Sequence, residues 1–169
     1  MNIKDIDTVK DGNTKENHIS TIERLHQQLA NHYVLVTKTK FYHWNVSGSH
    51  FHDLHILFDE HYEVISDIVD SLAEQCQKLG GRATGTLQRF LDEATVKEDG
   101  VETIPDTKEM VTNLIDAHEI IMQALTKDIK DVDEKFDDAV TSNMLQDISD
   151  KHHKMTWMLR KIVQKSDLV

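Results

Sequence analysis

The sequence is poor in the residues that make turns, cross-links and membrane spans. One proline and six glycines in 169 residues are too few for the many tight turns of a β-rich fold. The single cysteine, Cys76, cannot form an intramolecular disulfide, and residues 1–11 lack the apolar core of a signal peptide. No apolar run approaches the roughly 20 residues that a membrane-spanning helix needs. We therefore expect an all-α protein in the cytoplasm with no membrane partner.

Positive charge is scarce as well. Nineteen Lys and Arg face thirty Asp and Glu, so the formal net charge is −11. A field of this sign repels nucleic-acid phosphates and attracts cations. Eleven histidines add the side chain that most often binds transition metals. The composition therefore favours metal ions over nucleic acid as partners.

Helical periodicity begins after a polar first segment. Residues 1–17 lack apolar periodicity and alternate Lys with Asp or Glu, so they are predicted to be a flexible N-terminal tail, with 18–169 as one domain. Ser20 followed by Glu23 forms a capping-box pattern. This pattern predicts a first helix that runs from there to about Trp44.

Three further long helices are predicted. The second ends at Gly80-Gly81, a natural C-cap, and residues 82–100 form a long connection with one short helix. Pro105 suits the first turn of the third helix, and the acidic stretch from Asp128 to Asp138 breaks its pattern before the fourth. Two helices, a long link and two more helices predict a ferritin-like four-helix bundle with a short extra helix in the connection. Other bundles share this outline, so function has to come from particular residues.

Four possible metal ligands on the second helix form two pairs, His55 with Asp59 and Asp70 with Glu74. Each pair is spaced i to i+4, so its members are neighbours on one helix face. The separation from Asp59 to Asp70 is close to three whole turns, so all four residues lie along one stripe. His55 and Glu74 are roughly 28 Å apart along the axis at about 1.5 Å per residue. One ion therefore cannot contact both pairs of the same chain.

A second copy of the chain unites the pairs if the two pack antiparallel about a two-fold axis crossing the second helix near its middle. His55 and Asp59 of one copy then face Asp70 and Glu74 of the other, in two equivalent sites. His43, at the end of the first helix, is a further nitrogen ligand. Two imidazoles and three carboxylates suit ferrous iron, with manganese or zinc as competitors, whereas calcium prefers oxygen ligands alone.

The same segment resembles a known family. The resemblance is carried by Tyr42-His43-Trp44-Asn45-Val46, Leu54-His55, Phe58-Asp59-Glu60, Tyr62-Glu63, Asp70 and Ala73-Glu74, and more loosely by Leu79-Gly80-Gly81, His153, Lys154, Trp157 and Met158. On these residues the chain resembles the Dps family, the DNA-binding proteins from starved cells, also called miniferritins. The likeness extends over most of the chain, and residues 42–74 carry its most specific part.

The resemblance implies a ferroxidase centre formed by His43, His55 and Asp59 of one subunit with Asp70 and Glu74 of its two-fold mate. It also implies a homododecameric shell built from two-fold dimers. Such a shell oxidises Fe(II), preferably with hydrogen peroxide, and stores Fe(III) inside. Removal of both substrates protects the cell from oxidative damage.

The resemblance assigns further residues beside the centre and at the pores. Trp44 and Tyr42 lie next to the first site histidine, either as electron donors or as packing residues against the mate. The family lines three-fold iron-entry pores with acids near the start of the last helix, where this chain has Asp138, Asn143 and Asp147. The alternative for the two acids is a helix start whose charge suits the helix dipole.

The DNA binding that the resemblance implies has less support in the residues of this chain. Members that condense DNA use a lysine-rich tail, whereas residues 1–17 balance their basic and acidic side chains: Lys4, Lys10 and Lys15 against Asp5, Asp7, Asp11 and Glu16. We expect DNA binding to be weak or absent. The alternative function is a nucleoid-associated, DNA-protecting protein in which iron oxidation is secondary.

Two other interpretations are weaker. A di-iron site within one chain uses Glu-x-x-His pairs on two helices, and only Glu23-x-x-His26 is present. A purely structural bundle explains any one of the five ligands but not all of them at this spacing. The remaining histidines are predicted to be surface or packing residues, because no comparable spacing links them: His18, His26, His32, His50, His52, His61, His118, His152 and His153.

Overall fold

The computed structural model describes residues 6–100 and 103–164, which form five α-helices and no strand. The helices are α1 (Lys15–Asn45), α2 (Phe51–Lys78), α3 (Leu87–Glu93), α4 (Thr107–Glu134) and α5 (Ala139–Val163). The predicted all-α class, the four long helices and the short helix in the connection are confirmed. Within these ranges, no helix is long and apolar enough to cross a membrane.

The four long helices form a bundle of two hairpins. Helix α1 packs along α2 and α4 packs along α5, while the hairpins meet through contacts of α1 with α4 and of α2 with α5. Helix α3 lies in the long connection and packs on α1, where Phe90 stacks on Tyr33 with ring centroids 4.2 Å apart. All four long helices contribute side chains to the apolar core, including Leu29, Phe58, Leu114 and Leu145.

Helix α1 begins at Lys15 and not at Ser20. Thr14 is its N-cap, and the Thr14 hydroxyl accepts a hydrogen bond from the Asn17 N–H. Ser20 lies inside the helix and donates its hydroxyl to the Glu16 carbonyl. The predicted capping box at Ser20 is therefore wrong, because Thr14 offers an equally good cap one turn and a half earlier.

Part of the predicted tail packs on the bundle. The Asp7 N–H donates to the Gly80 carbonyl at 2.9 Å, and Ile6 is buried. Gly80 has a φ of +79°, and a Cβ there would collide with the Asp7 carbonyl oxygen. The predicted glycine C-cap therefore also makes room for residues 6–14. Lys4 and Asp5 lie outside the described residues, and the domain boundary at residue 17 stays a prediction.

The acidic end of α4 continues the helix to Glu134, so the predicted break at Asp128 is wrong. Asp128 and Asp131 are both buried and face Arg24 of α1, at 3.7 Å and 2.9 Å respectively. The Gln28 side chain also donates to Asp128 at 2.6 Å. These carboxylates interrupt the apolar pattern because they are buried with a cationic partner, which the sequence of α4 alone does not reveal.

The long connection is attached to α1 by side chains. The Asn31 side-chain oxygen accepts hydrogen bonds from the backbone N–H groups of Thr95 and Val96. Lys38 forms a 2.7 Å ion pair with Asp99, and both side chains are largely buried. These contacts attach the connection to α1.

Candidate metal centre

His43 at the end of α1 and His55 at the start of α2 hold each other in place. Each histidine places Nδ1 2.8 Å from the backbone carbonyl of the other, and the two rings stack with centroids 3.8 Å apart. A carbonyl only accepts hydrogen bonds, so each Nδ1 is the donor, and in the neutral ring the lone pair lies on Nε2. Such a hydrogen bond to the second nitrogen is the arrangement that orients metal-binding histidines.

Asp59 stands one turn after His55 and completes this group. Its carboxylate lies 3.9 Å from the His43 Nε2, and its side chain is 44% exposed. A hydrogen bond with Asp59 raises the pKa of Tyr62, and the edge of the Tyr62 ring meets the His43 ring at 5.5 Å. His43, His55 and Asp59, the three predicted ligands of one subunit, thus lie next to one another in the fold.

Asp70 and Glu74 lie farther along α2 and apart from the first three residues. Both are exposed, and Glu74 makes only a 3.6 Å contact with Lys78, in which both side chains are over 60% exposed. At about 1.5 Å of rise per residue, Asp70 is roughly 16 Å along the helix from Asp59. Within the described part of one chain, no three His, Cys, Asp or Glu side chains are placed to hold one ion.

The two aromatic residues beside His43 have different environments. Tyr42 is fully buried and its hydroxyl accepts a hydrogen bond from the Asn113 side chain at 3.0 Å. Trp44, near the end of α1, is 70% exposed, and Phe51 and Ile56, near the start of α2, are also exposed. Tyr42 is thus a packing residue of its own subunit, whereas Trp44, Phe51 and Ile56 leave apolar surface exposed near the α1–α2 turn.

The three pore candidates also differ. Asp138 is buried and caps α5: one carboxylate oxygen accepts from the Thr141 N–H at 2.9 Å and the other from its hydroxyl at 2.6 Å. Asn143 and Asp147 are exposed and lie four residues apart on α5, hence on one face. Asp138 is therefore seen in the helix-capping role, and only Asn143 and Asp147 present free side chains in this chain.

Sequence reasoning missed one group of residues. His32, His61, His118 and His152 come from the four long helices and meet in the interior, each at most 3% exposed. Their grouping as surface or packing residues is correct for burial but misses the contacts among them. The available signal was periodicity, because His118 occupies an apolar position between Ile115 and Ile121.

Comparison with known proteins gives one family model and several similar chains. The model of the ferritin-like domain family matches residues 22–169. The chain is 37% identical over 153 residues to an uncharacterised low temperature-induced protein of Nostoc, with 90% of this chain and 85% of the relative covered. It is 36% identical over 141 residues to a DNA protection during starvation protein of Brevibacillus brevis, covering 83% and 92%.

A solved structure gives the same result at the level of the fold. The crystal structure of a DPS protein from Vibrio cholerae, described as a member of a broad superfamily of ferritin-like diiron-carboxylate proteins, matches with a TM-score of 0.86. Sequence identity is 26%, and the match covers 93% of this chain and 97% of that one. The likeness therefore extends over the whole bundle.

Proposed function

Because the chain belongs to the Dps family of ferritin-like proteins, we propose that it is an iron-storage and iron-detoxifying ferroxidase whose centre is shared by two subunits. His43, His55 and Asp59 come from one subunit, and Asp70 and Glu74 come from its two-fold mate. Fe(II) and hydrogen peroxide are the substrates, and Fe(III) is stored inside a closed shell of twelve subunits.

One observation carries this proposal. The reciprocal hydrogen bonds between His43 and His55 leave the Nε2 atoms of both rings without a hydrogen-bond partner in the described part of the chain, and the His43 Nε2 lies 3.9 Å from the Asp59 carboxylate. Two lone pairs and one carboxylate form half of a mixed nitrogen and oxygen ligand set for Fe(II). Asp70 and Glu74, exposed on the same helix, supply the other half after a two-fold rotation about the middle of α2.

The carboxylates and the imidazoles have different roles in the oxidation. The carboxylates offset the charge of incoming Fe(II), and the imidazoles complete its coordination. Each of two Fe(II) ions loses one electron, and the O–O bond of one peroxide accepts both electrons and breaks. Two protons complete two water molecules. Because both electrons go to one peroxide, this stoichiometry releases no hydroxyl radical.

The test combines solution mass with oxidation stoichiometry on the full chain. We expect a particle of about twelve subunits, and we expect two Fe(II) consumed per peroxide, followed by absorbance of an Fe(III) core. Zn²⁺ at one equivalent per site should slow the reaction by competing for the same ligands. A monomeric particle, or one Fe(II) consumed per peroxide with hydroxyl radical detected by a spin trap, would contradict the proposal.

Iron entry and DNA binding are separate parts of the proposal. Asn143 and Asp147 present the polar face of α5 to a three-fold pore, with Asp138 supporting the helix start. The DNA-protecting function in the name of the Brevibacillus relative is the alternative, and the net charge of −11 opposes it. A gel-shift assay with plasmid DNA at physiological salt should show no retained complex, and a tight, salt-sensitive complex would favour the alternative.

A further inference from the structure

Four buried histidines, one from each long helix, form a cluster inside the subunit: His32 of α1, His61 of α2, His118 of α4 and His152 of α5. Three of them are 0% exposed and His61 is 3% exposed. None belongs to the five ligands of the shared centre. Four buried imidazoles are costly without a role for their nitrogens.

The cluster is neutral at physiological pH. Burial lowers the pKa of His32 and His61 to about 4 and that of His118 to about 3. Burial also lowers the pKa of His152 well below the usual range. Each ring therefore carries one N–H and one lone pair, and no proton competes for that lone pair at neutral pH.

The hydrogen bonds fix which nitrogen of three rings carries the proton. His32 Nδ1 lies 2.6 Å from the Gln28 carbonyl, which only accepts, so His32 keeps its lone pair at Nε2. His152 Nε2, 2.9 Å away, must then donate to it, which leaves the lone pair of His152 at Nδ1. His118 Nδ1 donates to that atom at 2.8 Å. The chain of three bonds therefore ends with a lone pair on His118 Nε2.

That lone pair has no partner among the described residues. His118 Nε2 and both nitrogens of His61 are buried and make no hydrogen bond with the protein. The His61 and His118 rings lie 6.2 Å apart, nearly perpendicular at 89°. His61 has one lone pair in either tautomer. Two nitrogen atoms with an unused lone pair, one from α2 and one from α4, therefore lie on neighbouring rings in the core.

We propose that His61 and His118 bind one monovalent d¹⁰ cation, Cu(I), inside each subunit. His152 and His32 are positioning residues, because their hydrogen bonds hold His118 in the tautomer with Nε2 free. A metal-binding histidine characteristically donates its other N–H to such a partner. The site is independent of the shared centre and of the proposed function.

The surroundings of the two rings favour an ion of low charge. The pKa of His61 is lowered by burial alone and that of His118 by burial and by His61 and His32, so no carboxylate of the described residues acts on either ring. Without an acidic ligand the ion keeps its full charge in a low-dielectric core, and the solvation cost grows with the square of that charge. A divalent ion therefore costs about four times as much as a monovalent one. Imidazole is a good copper ligand, and Cu(I) accepts two-coordinate geometry, whereas Fe(II) favours the carboxylates of the shared centre.

The experiment is an anaerobic Cu(I) titration against a chromogenic Cu(I) chelator. The full chain carries His43→Ala/His55→Ala, so that the shared centre cannot contribute. Because the four histidines are buried, Cu(I) is added over a prolonged incubation. We expect one Cu(I) per subunit, and X-ray absorption should show two nitrogen ligands and no sulfur. Zn²⁺ in tenfold excess should not displace it.

Matched variants assign the ligands. In the same background, His118→Leu and His61→Leu should each lower Cu(I) affinity at least about 100-fold, as loss of one of only two ligands requires. His153→Leu, next to His152 on α5 but exposed, should leave it unchanged. Circular dichroism and particle mass check that each variant folds.

The absorption measurement does not depend on these variants. No Cu(I) retained by the folded background protein, a sulfur ligand, displacement by Zn²⁺, or a crystal structure of the Cu(I)-treated protein with only water between the two rings would each overturn the proposal.

Discussion

Two groups of histidines in this chain lie in contrasting environments. His43 and His55 lie at an open edge of the bundle beside the Asp59 carboxylate, and each ring is hydrogen-bonded to the other residue's backbone. His32, His118 and His152 lie in the closed core in a hydrogen-bonded chain, and the His61 ring lies beside that of His118. The first group has an acidic companion, Asp59, and in the proposed function a second subunit completes it. The second group draws all its residues from one subunit and has no acidic companion among the residues that the structure describes.

The difference shows how burial and partners decide what a histidine can do. At the open edge, water and the Asp59 carboxylate lower the cost of a divalent ion, as the proposed function requires. In the core, burial keeps the imidazoles neutral and makes each unsatisfied nitrogen costly. We therefore expect changes at the edge to alter iron oxidation with little effect on stability, and changes in the core to do the reverse.

The largest expected effect is at the edge. His43→Ala/His55→Ala should lower the rate of Fe(II) oxidation by peroxide at least about 100-fold, because loss of metal ligands costs several kcal/mol of transition-state stabilisation. Stopped-flow absorbance of Fe(III) measures this rate. His52→Ala, an exposed histidine in the first turn of α2, is the control and should match wild type. Equal rates for the double variant and the control would remove these histidines from the centre.

The next effect concerns the core. His152→Ala should lower the free energy of unfolding by about 3–5 kcal/mol, because it opens a cavity and leaves His32 Nε2 and the His118 N–H without partners. Chemical unfolding followed by circular dichroism measures the change. The neighbouring His153→Ala should stay within about 0.5 kcal/mol of wild type. Similar stability of the two variants would mean that the hydrogen-bonded chain contributes nothing.

A smaller effect is a change in pH dependence. The His32 pKa is about 4 in the folded chain against 6.5 as the ordinary value. As pH falls from 6.5 to 4, His32 is protonated in the unfolded chain but stays neutral in the folded chain. This difference lowers the free energy of unfolding by about 3 kcal/mol. His32→Leu should flatten the stability curve in this window, measured by urea unfolding at successive pH values. If the free energy of unfolding of His32→Leu falls with pH as steeply as that of His153→Leu, the prediction is wrong.

The bundle was largely predictable because helices of this length carry a strong periodic signal. The failures lie where a polar residue serves a tertiary partner. Asp128 interrupts the pattern of α4 because it pairs with Arg24 of α1, and the true cap at Thr14 is distinguished from Ser20 only in the folded chain. Local pattern does not contain such long-range pairings.

The common helix face of three candidate ligands was predictable for a different reason, while their role as a metal site stays a prediction. Asp59, Asp70 and Glu74 lie on one helix, so their spacing alone places them on one stripe. The histidine cluster draws one residue from each of four helices, and no spacing within a helix links them. His61 also gives no sign in the sequence that it faces inward while Asp59, two residues earlier, faces the open edge.

The most direct test of the shared centre mixes two inactive variants. His55→Ala and Glu74→Ala chains are unfolded together and reassembled at equal amounts. In a mixed two-fold dimer, one site carries both substitutions and the other carries neither. Random pairing therefore restores about a quarter of the wild-type sites. Iron oxidation at about a quarter of the wild-type rate is the predicted result. A mixture no more active than the two variants assembled separately would contradict a centre shared between subunits.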